Sequence, residues 1–383
     1  MRITHPFISF YARHLGWKKN LHSLFFIIGF IVSSFSAYSQ CATCDFTATS
    51  GQTYNFNGNQ TLCITSNVNN IGWNMNGSDN KICVATGVVW DAGFMGNLAS
   101  GTVIDVYGTV NITQAPNVNG GTATLNIHTG ATVNIASGVN QGMNINNDGT
   151  LNFTADGTSI STAGTAIITN SAGATITALK TTNFIINNNV TLNNYGTVHL
   201  ANAENSEGYI NNYSTGSFVV DRSFNNHGAF INIGDYQLPC TTLAGAAGAT
   251  TCSFRVGDKG VGKEFINNSC FCVKGNVTFD GPGTNNGTMY ITGDLTLNKI
   301  LTGLNGRVVL ENGVSTISIS GGYTGTGLQF CDKNTSGNGF DSVAAGRPAD
   351  YTVNCTPTTC TCDPTAVACT TPNCTTTVTV QKN

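Results

Sequence analysis

Charge is what this chain has least of: only 9% of its 383 residues are Asp, Glu, Lys or Arg. Four of the 16 basic residues (Arg2, Arg13, Lys18, Lys19) and none of the 19 acidic ones precede residue 40, so the remainder holds 12 basic against 19 acidic residues, a net charge of −7. No basic stripe remains for a phosphate backbone, which excludes nucleic acid as the expected partner. Histidine is scarce too. After residue 40 only His128, His199 and His227 occur, far apart in the chain, too few for a histidine-built metal centre. Strong helix formers such as Glu and Lys are rare, and Gly or Asn interrupts nearly every window, which argues against long helices. Neither a G-x-S-x-G elbow nor a phosphate-binding loop is present.

Long apolar runs are also missing. The longest, "LFFIIGFIVSSF" (Leu24–Phe35), has 12 residues, short of the roughly 20 needed to cross a bilayer. It follows a basic stretch and precedes the small residues Ser36, Ala37 and Ser39, the pattern of a secretory signal peptide. Residues 1–39 are therefore read as a signal peptide cleaved near Ser39. The expected destination is the cell surface or the medium, with no membrane span in the mature chain. All 14 cysteines lie beyond this segment, and in an exported chain that implies disulfides rather than metal thiolates.

What the sequence does have is glycine, 45 residues of it, and a repeat. "GTVNI" at Gly108, "GATVNI" at Gly130, "GTLNF" at Gly149, "GATIT" at Gly173, "GTVHL" at Gly196 and "GSFVV" at Gly216 follow one another at intervals of 19 to 24 residues. Each opens a short alternating strand rich in β-branched residues. One such strand cannot bury its apolar side alone. Stacked rung on rung at about 4.8 Å, each covers its neighbour. A period near 20 built from strands and turns marks a solenoid. The expected fold is all-β, a right-handed parallel β-helix with disulfide-stapled ends, running over residues 40–330.

The strands are preceded by a second motif, "INNDGT" at Ile145, "LNNYGT" at Leu192 and "FNNHGA" at Phe224. Asn and Gly suit corners that need a left-handed backbone. Asn amides recurring at the same corner can hydrogen-bond into a column along the axis. Asn147, Asn194, Asn212 and Asn226 are the expected ladder residues, from a wider set of paired asparagines. The opening "GQTYNFNGNQTLCITSN", then "KICVATGVVW" and the recurrent "NNYGT" turns, resembles the secreted β-helical repeat proteins of Bacteroidetes. That resemblance implies a surface or adhesin-like role.

Cys63 in "TLCIT" and Cys83 in "KICVA" are one repeat apart. As stacked neighbours they fall within disulfide range, and a Cys63–Cys83 bond is expected. Cys41 and Cys44 form a C-x-x-C, read as structural. The repeat breaks over about 235–264, which is expected to leave the coil as a loop closed at its neck by Cys240 and Cys252. Cys270 and Cys272 lie on one face of a strand, with partners unassigned. Residues 331–383 form a Cys-, Thr- and Pro-rich tail with Cys331, Cys355, Cys360, Cys362, Cys369 and Cys374. It is expected to be a disulfide-stapled cap or stalk, and "DSV" at Asp341 fits a short O-glycosylation pattern.

Parallel β-helices include polysaccharide lyases and hydrolases, so acids at equal phase on adjacent rungs would signal an enzyme. Asp105, Asp148, Asp156, Asp221, Asp235, Asp280 and Asp294 follow no such phase. Asp221 and Arg222 are chain neighbours and point to opposite faces. Trp73, Trp90, Phe94 and Met95 gather near the amino end, as a cap on the core or as a sugar-stacking platform. The expectation is a structural or adhesin-like surface protein, not an enzyme, with no cofactor and no metal. The alternative is a carbohydrate-binding or polysaccharide-degrading β-helix. Glycans or other surface proteins are the expected partners, and exposed end rungs allow self-association.

Overall fold

A computed structural model describes residues 40–332 and 352–353, apart from short internal stretches of which 241–251 is the longest. The expected signal peptide and Asp341 lie outside the described residues, as does nearly all of the Cys-rich tail.

Every strand pairing among the described residues is parallel, and none of these residues is helical. One face of the coil is a sheet of 13 strands, from Phe46–Thr47 through Val103–Val106, Met143–Asn147 and Val190–Asn194 to Leu301–Thr302. Thirteen strands give twelve steps, a parallel β-helix roughly 58 Å long at about 4.8 Å per step. A second face carries the "GTVNI" strands, Thr109–Gln114, Thr132–Ile135 and Thr150–Phe153 among them. A third face carries the pairs Thr53–Phe56 with Gly72–Met75 and Leu98–Ala99 with Val118–Asn119, and from Ser159–Ile160 onward its strands join the sheet of the second face. The strands Thr197–Asn205 and Ser217–Asn226 turn the corner between the second and third faces without a break in pairing, except for a register shift between Leu200 and Asn202.

Alternation puts one side chain in and the next out. Leu62, Ile82, Ile104, Leu125, Ile145, Ile168, Leu192, Ile210, Phe230 and Phe265 stack in one inward column, each opposite the next in register and all buried. The column changes from aliphatic to aromatic at Phe230. There Phe218, Phe224, Phe230, Tyr236, Phe254, Phe265, Phe271 and Phe279 pack edge to face and in offset stacks. Such pairs add about 0.5–1.5 kcal/mol each beyond their buried area. The next inward position is Gly283. A Cβ there would stand 2.6 Å from the ring of Phe279, which already fills the space.

The corner glycines work by close approach. The glycines of the "NNxG" corners, such as Gly149, Gly196 and Gly228, are absent from the positive-φ residues, and so are the asparagines beside them. A Cβ at Gly228 would lie 2.2 Å from the carbonyl oxygen of Gly208 one rung below. The left-handed positions fall elsewhere, at Gly130 and Gly173 among others. The corner needs Gly because backbone lies against backbone there.

Three disulfides are described, and one expectation about them is corrected. Cys63 and Cys83 do stand opposite one another in register, but they are not bonded together. Cys41 bonds Cys83 and Cys44 bonds Cys63, with Cα–Cα distances of 5.7 and 5.6 Å. In-register neighbours on parallel strands project their Cβ atoms side by side at about the 4.8 Å strand spacing, wider than the roughly 3.8 Å Cβ–Cβ separation of a disulfide, and the C-x-x-C supplies one thiol to each rung instead. Cys240 bonds Cys252. The excursion is shorter than 235–264, because Asp235–Leu238 and Ser253–Val256 are strands of the coil. Residues 241–251, between these two cysteines, lie outside the described residues.

Candidate functional site

The asparagine corner is the most extended polar feature. Asn147 donates through Nδ2 to Oδ1 of Asn170 (2.7 Å), Asn170 to Asn194 (2.8 Å), Asn194 to Asn212 (2.8 Å), Asn212 to Asn232 (2.8 Å), Asn232 to Asn267 (2.9 Å) and Asn267 to Asn285 (2.7 Å). The second N–H of each amide reaches a backbone carbonyl, as from Asn194 to Ser217 (3.1 Å) and from Asn212 to Asp235 (2.9 Å). All seven side chains are fully buried. Asn147, Asn194 and Asn212 thus share one column. Asn226 does not: it accepts from Asn205 (2.8 Å) at the corner leaving the third face. These amides point inward with their hydrogen bonds made, so they have nothing to offer a ligand.

The outward columns are polar. On the second face Asn111 donates to Asp91 (2.6 Å), Asn134 to Asn111 (2.8 Å), Asn152 to Asn134 (2.9 Å) and Thr177 to Asn152 (2.7 Å). Thr109, Thr132, Thr150, Thr175, Thr197 and Ser217 form the neighbouring column. Two aromatic pairs stack on the corner that follows the first face, Tyr107 on His128 (3.9 Å between centroids) and Tyr195 on Tyr213 (4.2 Å).

Two of the three histidines beyond residue 40 meet an aspartate on a neighbouring rung, a pairing not expected from the sequence. His128 Nε2 lies 3.0 Å from Asp105, which also accepts from Lys81 Nζ (2.7 Å) and Asn126 (2.9 Å). Burial opposes the charge on Asp105, but the hydrogen bonds from Lys81, Asn126 and His128 outweigh it and hold the carboxyl below its ordinary range. His199 Nε2 lies 2.8 Å from Asp221. A spacing of 22 or 23 residues between His and Asp, one rung, is the signal that would have found both pairs. Asp221 and Arg222 are both buried, and no ion pair joins them among the described residues. Asp280 accepts from Asn298 (2.7 Å) and Arg255 (2.6 Å), and these bonds hold it low. Burial pushes Asp235 up, against a bond from Gln237.

A His–Asp pair can orient an imidazole for proton transfer. Neither imidazole is hydrogen-bonded to a hydroxyl or thiol nucleophile among the described residues, and the two pairs sit on different faces. No group of three or more His, Cys, Asp or Glu side chains is placed to hold a metal ion among the described residues. Trp73, Trp90 and Met95 are buried, with Trp73 and Trp90 packed together at 5.9 Å between ring centroids. Trp73 Nε1 donates to the carbonyl of Asn97 (3.2 Å). Both tryptophans belong to the core and offer no flat surface to a sugar.

No family model, curated protein or solved structure matches this chain. Among the described residues no helix is long and apolar enough to cross a membrane.

Proposed function

We propose that this chain is an exported cell-surface β-helical protein with a structural or adhesin-like role, akin to the Bacteroidetes repeat proteins it resembles in sequence. The observation that carries the reading is the seven-residue buried amide column, continuous from Asn147 to Asn285. It spends polar side chains on axial stiffness, which a spacer needs. Three disulfides support an oxidising destination. The segment bounded by the bonded Cys240 and Cys252 is the proposed recognition element, since loops on rigid scaffolds carry recognition.

The test is a glycan and surface-protein array probed with the mature chain and with a variant in which 241–251 is replaced by a short linker. Binding lost with that segment supports adhesion, and binding by neither supports the spacer. Depolymerisation of any glycan on the array would overturn the non-enzymatic reading. A carbohydrate-binding role is the second reading. It rests on the exposed rings of Tyr195 and Tyr209 and predicts that Tyr195→Ala abolishes glycan binding while 241–251 is dispensable.

A further inference from the structure

Cys272, Tyr290, Val309 and Cys331 stand opposite one another on successive strands of the second face. Their chain neighbours Phe271, Met289, Val308 and Phe330 point into the core, so these four point outward. Outward residues earlier in the same column, His199 and Val219, are half-buried. From Gln237 onward the column is covered: Cys272 is 4% exposed, Tyr290 1%, Val309 0% and Cys331 2%. With Cys270 they form an apolar cluster of their own outside the main core. At the amino end the outward Cys63 and Cys83 are buried in the same way, and there the cover is the bonded C-x-x-C segment.

The cysteine count identifies the occupant. Of 14 cysteines, six are used in the three bonds described. Cys270, Cys272 and Cys331 are each disulfide-bonded as well. No disulfide among the described residues joins any two of these three, so their partners lie among the remaining cysteines. Cys331 stands three rungs from Cys272, about 14 Å at 4.8 Å per rung, beyond the roughly 7 Å that a disulfide tolerates. The five cysteines left are Cys355, Cys360, Cys362, Cys369 and Cys374.

We propose that the segment 354–383 folds back along this outward column and is bonded to it at Cys270, Cys272 and Cys331, as a clasp and not a free stalk. The reach is sufficient. Thr352 pairs with Cys331 at the top of the column. From there to Cys272 is four steps, about 19 Å, which about six extended residues span. Cys360 and Cys362 lie eight and ten residues beyond Thr352. Each bond forms from two thiols, releasing two protons and passing two electrons to a disulfide-bearing oxidant of the export compartment, which is reduced to its dithiol.

The test is disulfide mapping of the full oxidised chain, alkylated without reduction, digested and read by mass spectrometry. The expected result is cross-linked peptides joining both Cys270 and Cys272, and separately Cys331, to peptides from 354–383. A Cys270–Cys272 bond, or thiols at those positions that take up the alkylating agent, would overturn the proposal. Limited proteolysis gives an independent reading. The wild-type chain should retain its last 30 residues, and the double variant Cys270→Ser, Cys272→Ser should lose them at least tenfold faster. Equal rates would contradict the clasp.

Discussion

A single asparagine amide in the buried column serves three partners. Asn194 accepts from Asn170 and donates to Asn212 and to the Ser217 carbonyl. Asn194→Ala leaves buried donors and acceptors on both sides without it, at about 1–3 kcal/mol for each group left unsatisfied. Chemical denaturation should show a loss of roughly 2–4 kcal/mol, whereas the outward Asn193→Ala should cost well under 1 kcal/mol. Gly228→Ala forces a methyl against the Gly208 carbonyl and should cost about 1–3 kcal/mol by the same measurement. The carboxylates predict opposite pH behaviour. Asp105 is held low, so its folded pKa lies beneath its unfolded one; its stabilisation is present above the unfolded value and lost as pH falls through the folded value. Asp105→Asn should therefore lower the Tm at neutral pH and flatten the acid limb of Tm against pH. Asp235 is pushed up by burial, so its charged form opposes folding as pH rises through the folded value, and Asp235→Asn should raise the Tm at neutral pH.

At the scale of the element, the amino-terminal clasp is the clearest device. The bonds Cys41–Cys83 and Cys44–Cys63 close chain separations of 42 and 19 residues. Each should contribute about 3 kcal/mol through the unfolded state, so Cys41→Ser, Cys44→Ser should lower the denaturation midpoint and speed hydrogen exchange in the first rungs. The strands themselves were legible in the sequence because period-2 alternation and the spacing of the "GTVNI" segments are local. The ladder was legible in part. Its signature is an inward residue followed two positions later by Asn, as in Ile168-x-Asn170 and Phe230-x-Asn232, and neither of those carries a doubled Asn. The doubled motif marks Asn147, Asn194, Asn212 and Asn226 but carries no register, so it does not separate the long column from the Asn205–Asn226 pair at another corner. The disulfide partners and the His–Asp pairs were hidden for a related reason. They depend on which residues meet across rungs and on a segment lying outside the coil, and rung length varies from 18 to 24 residues along the ladder, reaching 35 at the added stretch.

For the whole molecule, the core is a one-dimensional stack in which each rung depends on the two beside it. Cohesion comes from columns: aliphatic and then aromatic inside, amide at the corner, Thr and Asn outside. The most direct measurement is a set of spin-label distances along one outward column, with labelled Cys pairs replacing Thr132 and Ser217, Thr109 and Ser217, and Thr109 and Asp235. Register places these pairs four, five and six steps apart. The account predicts distances near 19, 24 and 29 Å, rising by about 4.8 Å per step. Distances that fail to rise with the number of intervening repeats would contradict it.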